Sequence, residues 1–155
     1  MSDYVALIEN FYAGFQAGEA GVMAASYHPD ATFEDPVFKL RGDEIGDMWR
    51  MFCAGDNDVE VEYSGINVVG EEGSAHWEAR YVFGPKRRPV HNRIDATFKF
   101  TEGLIIHHRD DFDLAAWSRQ ALGLPGKLLG STAWLQTRVR DQAAHQLKRF
   151  RTSPD

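Results

Sequence analysis

The feature that most limits what this chain can fold into is a change of hydrophobic period near residue 59. Before it, apolar residues recur at steps of three and four, the spacing of one helix face; after it they recur at steps of two, the spacing of one strand face. Tyr4, Leu7, Ile8, Phe11 and Phe15 form a stripe on a predicted helix over 2–18, with Ser2 as N-cap and Gly18 as its stop. A shorter helix over 22–27 follows, and a third over 43–54 carries Ile45, Met48, Trp49 and Phe52 on one side. In the second half Trp77, Ala79, Tyr81 and Phe83 alternate with His76, Glu78 and Arg80. Strands over 59–69, 75–83, 90–101 and 104–112, joined by short turns such as Glu102-Gly103, predict an antiparallel meander. Helices first and then a meander is an α+β pattern, with the helices packed on one side of the sheet.

Beyond the meander Asp113 is the expected N-cap of a helix reaching Leu122. Gly123, Pro125 and Gly126 are expected to break it. A last helix over 128–150 places Leu128, Leu135, Val139, Ala143, Leu147 and Phe150 on one stripe. It can cover the sheet, close a cavity or meet a second subunit. The division this suggests is a body over 1–113 and a helical extension over 114–155, packed on the same domain or on a partner subunit.

Charge separates these two parts. The net charge of the whole is −6, whereas the extension holds seven basic residues against Asp141 and Asp155. An acidic body argues against a nucleic-acid partner, and the basic extension is expected to neutralise the body of its own or a partner subunit. No apolar run approaches the ~20 residues that span a bilayer, so no membrane partner is expected. Cys53 is the single cysteine and no basic-then-apolar leader opens the chain, which together point to a cytoplasmic location. The histidines lack the paired spacing of zinc ligands, so no metal is expected.

The stretch over 24–49 carries the chemistry. A strand over 31–35 stops at Pro36, since proline cannot donate to a ladder, and this leaves Asp35 at a strand end. Next to Phe33, Val37 and Phe38, its charge is disfavoured by lost solvation, which is one route to a base of useful strength. The plainer reading is that Asp35 caps a turn.

The order and spacing of several segments resemble the nuclear transport factor 2-like superfamily, which includes ketosteroid isomerases and SnoaL-like polyketide cyclases. These segments are Phe15-Gln16-Ala17-Gly18-Glu19, His28-Pro29-Asp30-Ala31-Thr32-Phe33-Glu34-Asp35-Pro36-Val37, Arg41-Gly42, and Gly103-Leu104-Ile105 leading to Phe112-Asp113. The resemblance implies a cone: a curved, mostly antiparallel sheet wrapped by N-terminal helices around an apolar pocket, here with extra C-terminal helices. Asp35 falls on the general-base Asp of an Ala-Thr-x-Glu-Asp-Pro-Val segment of the ketosteroid isomerases. The chain departs from that pattern at both oxyanion donors, with Phe11 where a Tyr is expected and Ala96 where an Asp is expected. Tyr12 and Asp95 stand one step away, and only a bulge would bring Asp95 inward.

The same alignment turns His108, Asp110 and Phe112 toward the cavity, with His108 and Asp110 about 7 Å apart along the strand. The expectation is therefore a small cofactor-independent enzyme in which Asp35 is the base and His108 with Asp110 the acid or water-orienting pair. Its substrate would be an apolar carbonyl or epoxide compound, held among Phe11, Tyr12, Phe33, Trp49, Trp77, Tyr81, Ala96, Phe98 and Phe112. The alternative is a non-catalytic module of the same superfamily that holds a small ligand or a partner. The resemblance also implies a homodimer through the convex sheet face, which would bear His76, Glu78, Arg80, Arg93 and Asp95.

Overall fold

The computed structural model describes residues 3–152. The expected N-cap Ser2 lies outside them. Helices α1 (Asp3–Gln16) and α2 (Ala20–Ala25) lead into strands β1 (Tyr27–Glu34) and β2 (Lys39–Arg41) and helix α3 (Asp43–Ala54). The meander follows as β3 (Glu60–Val69), β4 (Glu72–Phe83), β5 (Arg88–Thr101) and β6 (Leu104–Asp111). Helices α4 (Leu114–Leu122), α5 (Leu124–Leu129) and α6 (Ala133–Thr152) complete the described chain. The six strands form one curved, unclosed sheet in the order β2-β1-β6-β5-β4-β3, with β1 parallel to β6 and every other neighbour antiparallel.

The period change sorts the core as expected. Ile8, Phe11, Tyr12 and Phe15 of α1 are buried against the concave sheet face, with Trp77, Ala79, Ile94, Ala96 and Phe98 opposite. Removing a buried ring of this kind costs roughly 3–5 kcal/mol. The β5–β6 turn is two residues long, with Glu102 at φ 53° and Gly103 at φ 81°. Positive φ at both central positions matches the right-handed twist of the flanking strands.

The second helix ends at Ala25 rather than at residue 27 and β2 was not expected, and three further departures have a clear physical reason. β1 begins at Tyr27 rather than at residue 31, because pairing with β6 at Tyr27↔Ile105 extends it toward the helices. The ladder resumes only at Thr32↔His107, so Pro29 sits in the irregular part where no donor is required. Gly123 ends α4 with φ 67°, but Pro125 and Gly126 lie inside the short helix α5 instead of breaking one. Proline is tolerated in a first turn, whose N–H groups have no helical partner anyway. A Cβ at Gly126 would collide with the carbonyl oxygen of Ser118, so α5 folds back on α4 at a distance only glycine permits. Finally, Leu128 belongs to α5 and is exposed, so the stripe of α6 starts at Leu135 and runs to Leu147.

The extension stays on its own body. Asp113 caps α4 by accepting from the Ala116 N–H at 3.0 Å. α4 packs on β5, and α6 crosses α3. Near the end of α6 the Arg151 guanidinium reaches Asp43, Glu44 and Asp47 at 3.1, 3.6 and 2.9 Å. These acids occupy the start of α3, where negative charge also meets the positive end of the helix dipole. Among the described residues no helix is long and apolar enough to cross a membrane.

Candidate active site

The concave face of the sheet, with α3, α4 and α6 around it, encloses a cavity of about 670 Å³. Its apolar wall comes from Met48 and Phe52 of α3, Ala79 and Ile94 of the sheet, and Leu135 and Val139 of α6. The residues on α6 are spaced so that Leu135, Val139 and Ala143 face inward while Arg138, Gln142 and Gln146 stand at the rim. Three carboxylates line this space: Asp56, which is exposed to solvent, and the more buried Asp35 and Asp110.

Asp35 lies one residue past β1, in the turn to β2. Its Oδ1 accepts from the Val37 and Phe38 N–H groups at 2.7 and 2.6 Å. Its own N–H donates to the Phe38 carbonyl at 2.9 Å. Its Oδ2 has no hydrogen-bond partner among the described residues. Turn cap and candidate base are thus one side chain, with one oxygen for each task. Burial pushes the Asp35 carboxyl up to about 7; the Phe38 and Val37 N–H groups pull the other way, and the nearby charges of Asp110 and Glu34 push it higher. Asp35 also borders a second, polar recess of about 360 Å³ beside Arg109 and Arg140.

At the closed end of the cavity the polar groups form one chain. The Trp49 indole N–H donates to the Tyr27 hydroxyl at 3.0 Å, and that hydroxyl meets His108 Nδ1 at 2.7 Å. His108 Nε2 meets Asp110 Oδ1 at 2.8 Å, and Trp77 Nε1 donates to the same oxygen at 3.3 Å. Donor and acceptor roles follow from what each group can do. An indole can only donate, so Tyr27 accepts there and has its own proton left for His108. Nδ1 is then the acceptor, Nε2 carries the hydrogen, and it donates to Asp110. Burial holds the Tyr27 hydroxyl well above its ordinary range, keeping it a donor. Asp110 Oδ2 has no hydrogen-bond partner among the described residues, and Asp110 lines the cavity.

Higher on the wall the Trp117 N–H donates to the Tyr81 hydroxyl at 2.6 Å. Asn92, on the inward face of β5, also lines the cavity, and its side-chain amide makes no hydrogen bond with the described residues. Among those residues no group of three or more His, Cys, Asp or Glu side chains is placed to hold a metal ion.

The sequence matches the SnoaL-like domain over residues 8–108, more than half of the chain. The chain belongs to that family. No curated protein matches it in sequence. Among solved structures it resembles an LEH-like epoxide hydrolase of M. tuberculosis, with 21% identity, a TM-score of 0.64, and coverage of 86% of this chain and 95% of the other. A nuclear transport factor 2-like protein of unknown function from Burkholderia pseudomallei gives 15% identity, a TM-score of 0.66, and coverage of 77% and 98%. A protein designated a SnoaL-like polyketide cyclase from Jannaschia sp. gives 14%, 0.67, 79% and 94% in the same order. These likenesses establish the shared cone fold.

This SnoaL-like chain places the expected site residues in two layers. Asp35, Asp110, Trp49, Trp77, Tyr81 and Phe112 line the cavity. Phe11, Tyr12, Phe33, Ala96 and Phe98 do not; they lie beneath its floor. The reason is volume at the narrow end of the cone, where aromatic rings fill the space. Phe11, Phe33 and Phe98 surround His108 with ring centroids 5.9, 5.0 and 4.4 Å away. His108 itself does not reach the cavity, because its side chain is 0% exposed and both ring nitrogens are engaged. Ala96 faces inward opposite Asp110, while Asp95 points out and meets His76 at 2.9 Å. The bulge in this hairpin falls between Lys99 and Phe100, too far along to turn Asp95 inward. Sequence reasoning missed Tyr27, Trp117 and Asn92. Asn92 was findable, since it is in phase with Val90, Ile94 and Ala96 on the inward face of its strand.

Proposed function

We propose that this protein is a cofactor-independent enzyme that performs acid/base chemistry on an apolar carbonyl or epoxide compound. The observation that carries the reading is the pair of carboxylates on one largely apolar cavity, each with one oxygen tied down and the other left for a ligand. Asp35 is the base, because a carboxyl held near 7 is strong enough to take a proton and is ionised in useful amounts at neutral pH. Asp110 is the second carboxyl group, which orients a water or returns a proton. His108 positions Asp110 from behind rather than touching substrate. Membership of a family whose structural neighbours include an epoxide hydrolase and a designated polyketide cyclase supports an enzyme of this general kind.

The test is turnover of a panel of flat apolar enones and epoxides by the native protein and by Asp35→Asn. General-base removal is expected to lower kcat/KM by about 10²–10⁴-fold with no loss of thermal stability. Saturable binding without turnover, or full activity in Asp35→Asn, makes the protein a ligand-holding module instead.

A homodimer through the convex face belongs to the same proposal. There Glu78 gathers His76, His91 and Arg93 at 2.8, 2.6 and 3.8 Å, beside the exposed Arg80 and Asp95. Sedimentation as a monomer at micromolar concentration would remove it.

A further inference from the structure

Tyr81 occupies an unusual position among the polar groups of the cavity. It lies on the inward face of β4, in line with Trp77 and Ala79, and its ring borders the cavity next to Phe52, 5.3 Å away and edge-on. Its hydroxyl oxygen receives one hydrogen bond, from the indole of Trp117 on α4. An indole has no acceptor nitrogen, so the direction of that bond is fixed: Trp117 gives and Tyr81 takes. The Tyr81 proton then remains to be donated, and no described protein atom accepts it. The hydroxyl is close enough to Asp35 for that carboxylate's charge to raise its pKa, and burial is the larger cause of the rise, to about 12. Over any working pH the group therefore keeps its proton.

We propose that Tyr81 is the hydrogen-bond donor that receives the substrate oxygen, and that Trp117 is the positioning residue that aims it. This rests on the acid/base reading above and adds the electrophile that the reading lacks. The usual donor positions on α1 and β5 hold Phe11 and Ala96, neither of which has a donor or reaches the cavity. In the step implied, Asp35 removes a proton from the carbon beside a carbonyl. The C–H pair becomes a C=C bond, the carbonyl π pair moves onto oxygen, and the Tyr81 O–H stabilises that oxygen. Asp35 then returns its proton to the product, so no oxidant, reductant or cofactor enters. A flat aryl ketone is the matching ligand class, with its rings against Phe52 and Ile94 and its oxygen at Tyr81. The assignment also gives the extension a catalytic purpose, because α4 lies beyond the residues that match the SnoaL-like domain.

The experiment uses 2-acetylnaphthalene as probe with the full chain. Its carbonyl stretch is measured by difference infrared spectroscopy when bound to the native protein, to Tyr81→Phe and to Trp117→Phe. The native complex is expected to show the stretch at lower wavenumber than the ketone in hydrocarbon solvent. Tyr81→Phe should return it to the hydrocarbon value with the Kd weakened by less than about tenfold. Trp117→Phe should broaden the band and leave it between the two. On any substrate found by the enone panel, Tyr81→Phe should lose about 10²–10³-fold in kcat, and Trp117→Phe roughly tenfold. A native stretch equal to that of Tyr81→Phe overturns the proposal, as does failure of the ketone to bind saturably at millimolar concentration. Should Tyr81→Phe prove unstable, an unchanged band in Trp117→Phe overturns the aiming role alone. The infrared reading is independent of turnover: loss of activity in Asp35→Asn with no Tyr81-dependent shift leaves the base standing and removes the donor, and the converse removes the base.

Discussion

Two tyrosines in this molecule accept a hydrogen bond from a tryptophan, and they differ in where their own proton goes. At the closed end Tyr27 takes from Trp49 and gives to His108, so its hydroxyl is spent inside the protein. On the cavity wall Tyr81 takes from Trp117 and has no acceptor among the described residues. A third, Tyr12, is buried with its hydroxyl making no hydrogen bond among the described residues. The same side chain is thus a structural link, a donor left open on the cavity wall, and an uncompensated polar atom. The difference teaches that the satisfaction of a hydroxyl, more than its burial, tells a working group from a supporting one.

The largest effects should come from Asp35 and from His108, which stands behind Asp110. Asp35→Asn should cut turnover by two to four orders of magnitude, read as kcat/KM on the best substrate of the panel. If the proposed chemistry holds, the acidic limb of the native kcat/KM profile should fall near pH 7, because only the ionised Asp35 is a base. A limb near 4 would show that Asp35 is not the titrating base. His108→Ala should destabilise by about 3–5 kcal/mol in urea unfolding, since it leaves a cavity among Phe11, Phe33 and Phe98 and strands both Tyr27 and Asp110. A loss under 1 kcal/mol would mean that the chain at the closed end carries little.

Asp35 also makes stability depend on pH in a direction that can be stated. Its folded pKa is raised to about 7 from the ordinary value of 3.8, so the native state holds the proton more tightly than the unfolded one. Stability from this group therefore falls as pH rises between those values, by on the order of 2–4 kcal/mol in total. Asp35→Asn removes the penalty, so it should be more stable than the native protein at pH 8, and that advantage should disappear by pH 4. Equal melting temperatures at pH 8 would contradict the burial of this charge.

The tyrosines give smaller and opposite changes. Tyr27→Phe should cost about 1–2 kcal/mol, because it leaves Trp49 and His108 without their partner. Tyr12→Phe should be neutral or stabilise by up to about 1 kcal/mol, because it deletes an orphan hydroxyl. Tyr81→Phe should fall between them in stability while losing activity, and equal stability changes at all three positions would erase the distinction. The least effect is expected from Glu78→Lys on the convex face. It should leave the melting temperature nearly unchanged and shift a monomer–dimer midpoint to higher concentration in sedimentation.

The fold was legible because its two halves write their periodicity plainly. Tyr4 to Phe15 and Trp77 to Phe83 each define a face that has only one stable partner. β2 was not legible, since Lys39-Leu40-Arg41 is too short for any period to show. The start of β1 was hidden by Pro29, a local signal that the distant pairing with β6 overrides. In the site, Asp35 was marked by Pro36 and the family segment, and Asp110 by the alignment that the resemblance supplied. The separation of His108 from the cavity could not be read this way, because it depends on how three rings fill the narrow end. Nor could the link from Trp117 to Tyr81, which joins residues 36 apart in sequence and depends on how α4 lies on the sheet.

One oxygen of Asp35 is held by the loop and the other has no partner among the described residues, and under the proposed role this makes the reactivity of the site adjustable without replacing Asp35. The donors that temper its proton affinity are main-chain N–H groups of Val37 and Phe38, which any side chain at those positions supplies and only proline withholds. A proline at 37 would delete one donor and leave a stronger base; a longer loop would loosen both. Under the proposed function, descendants of this sequence can therefore explore different substrate acidities through insertions and prolines between β1 and β2, while Asp35 stays the same.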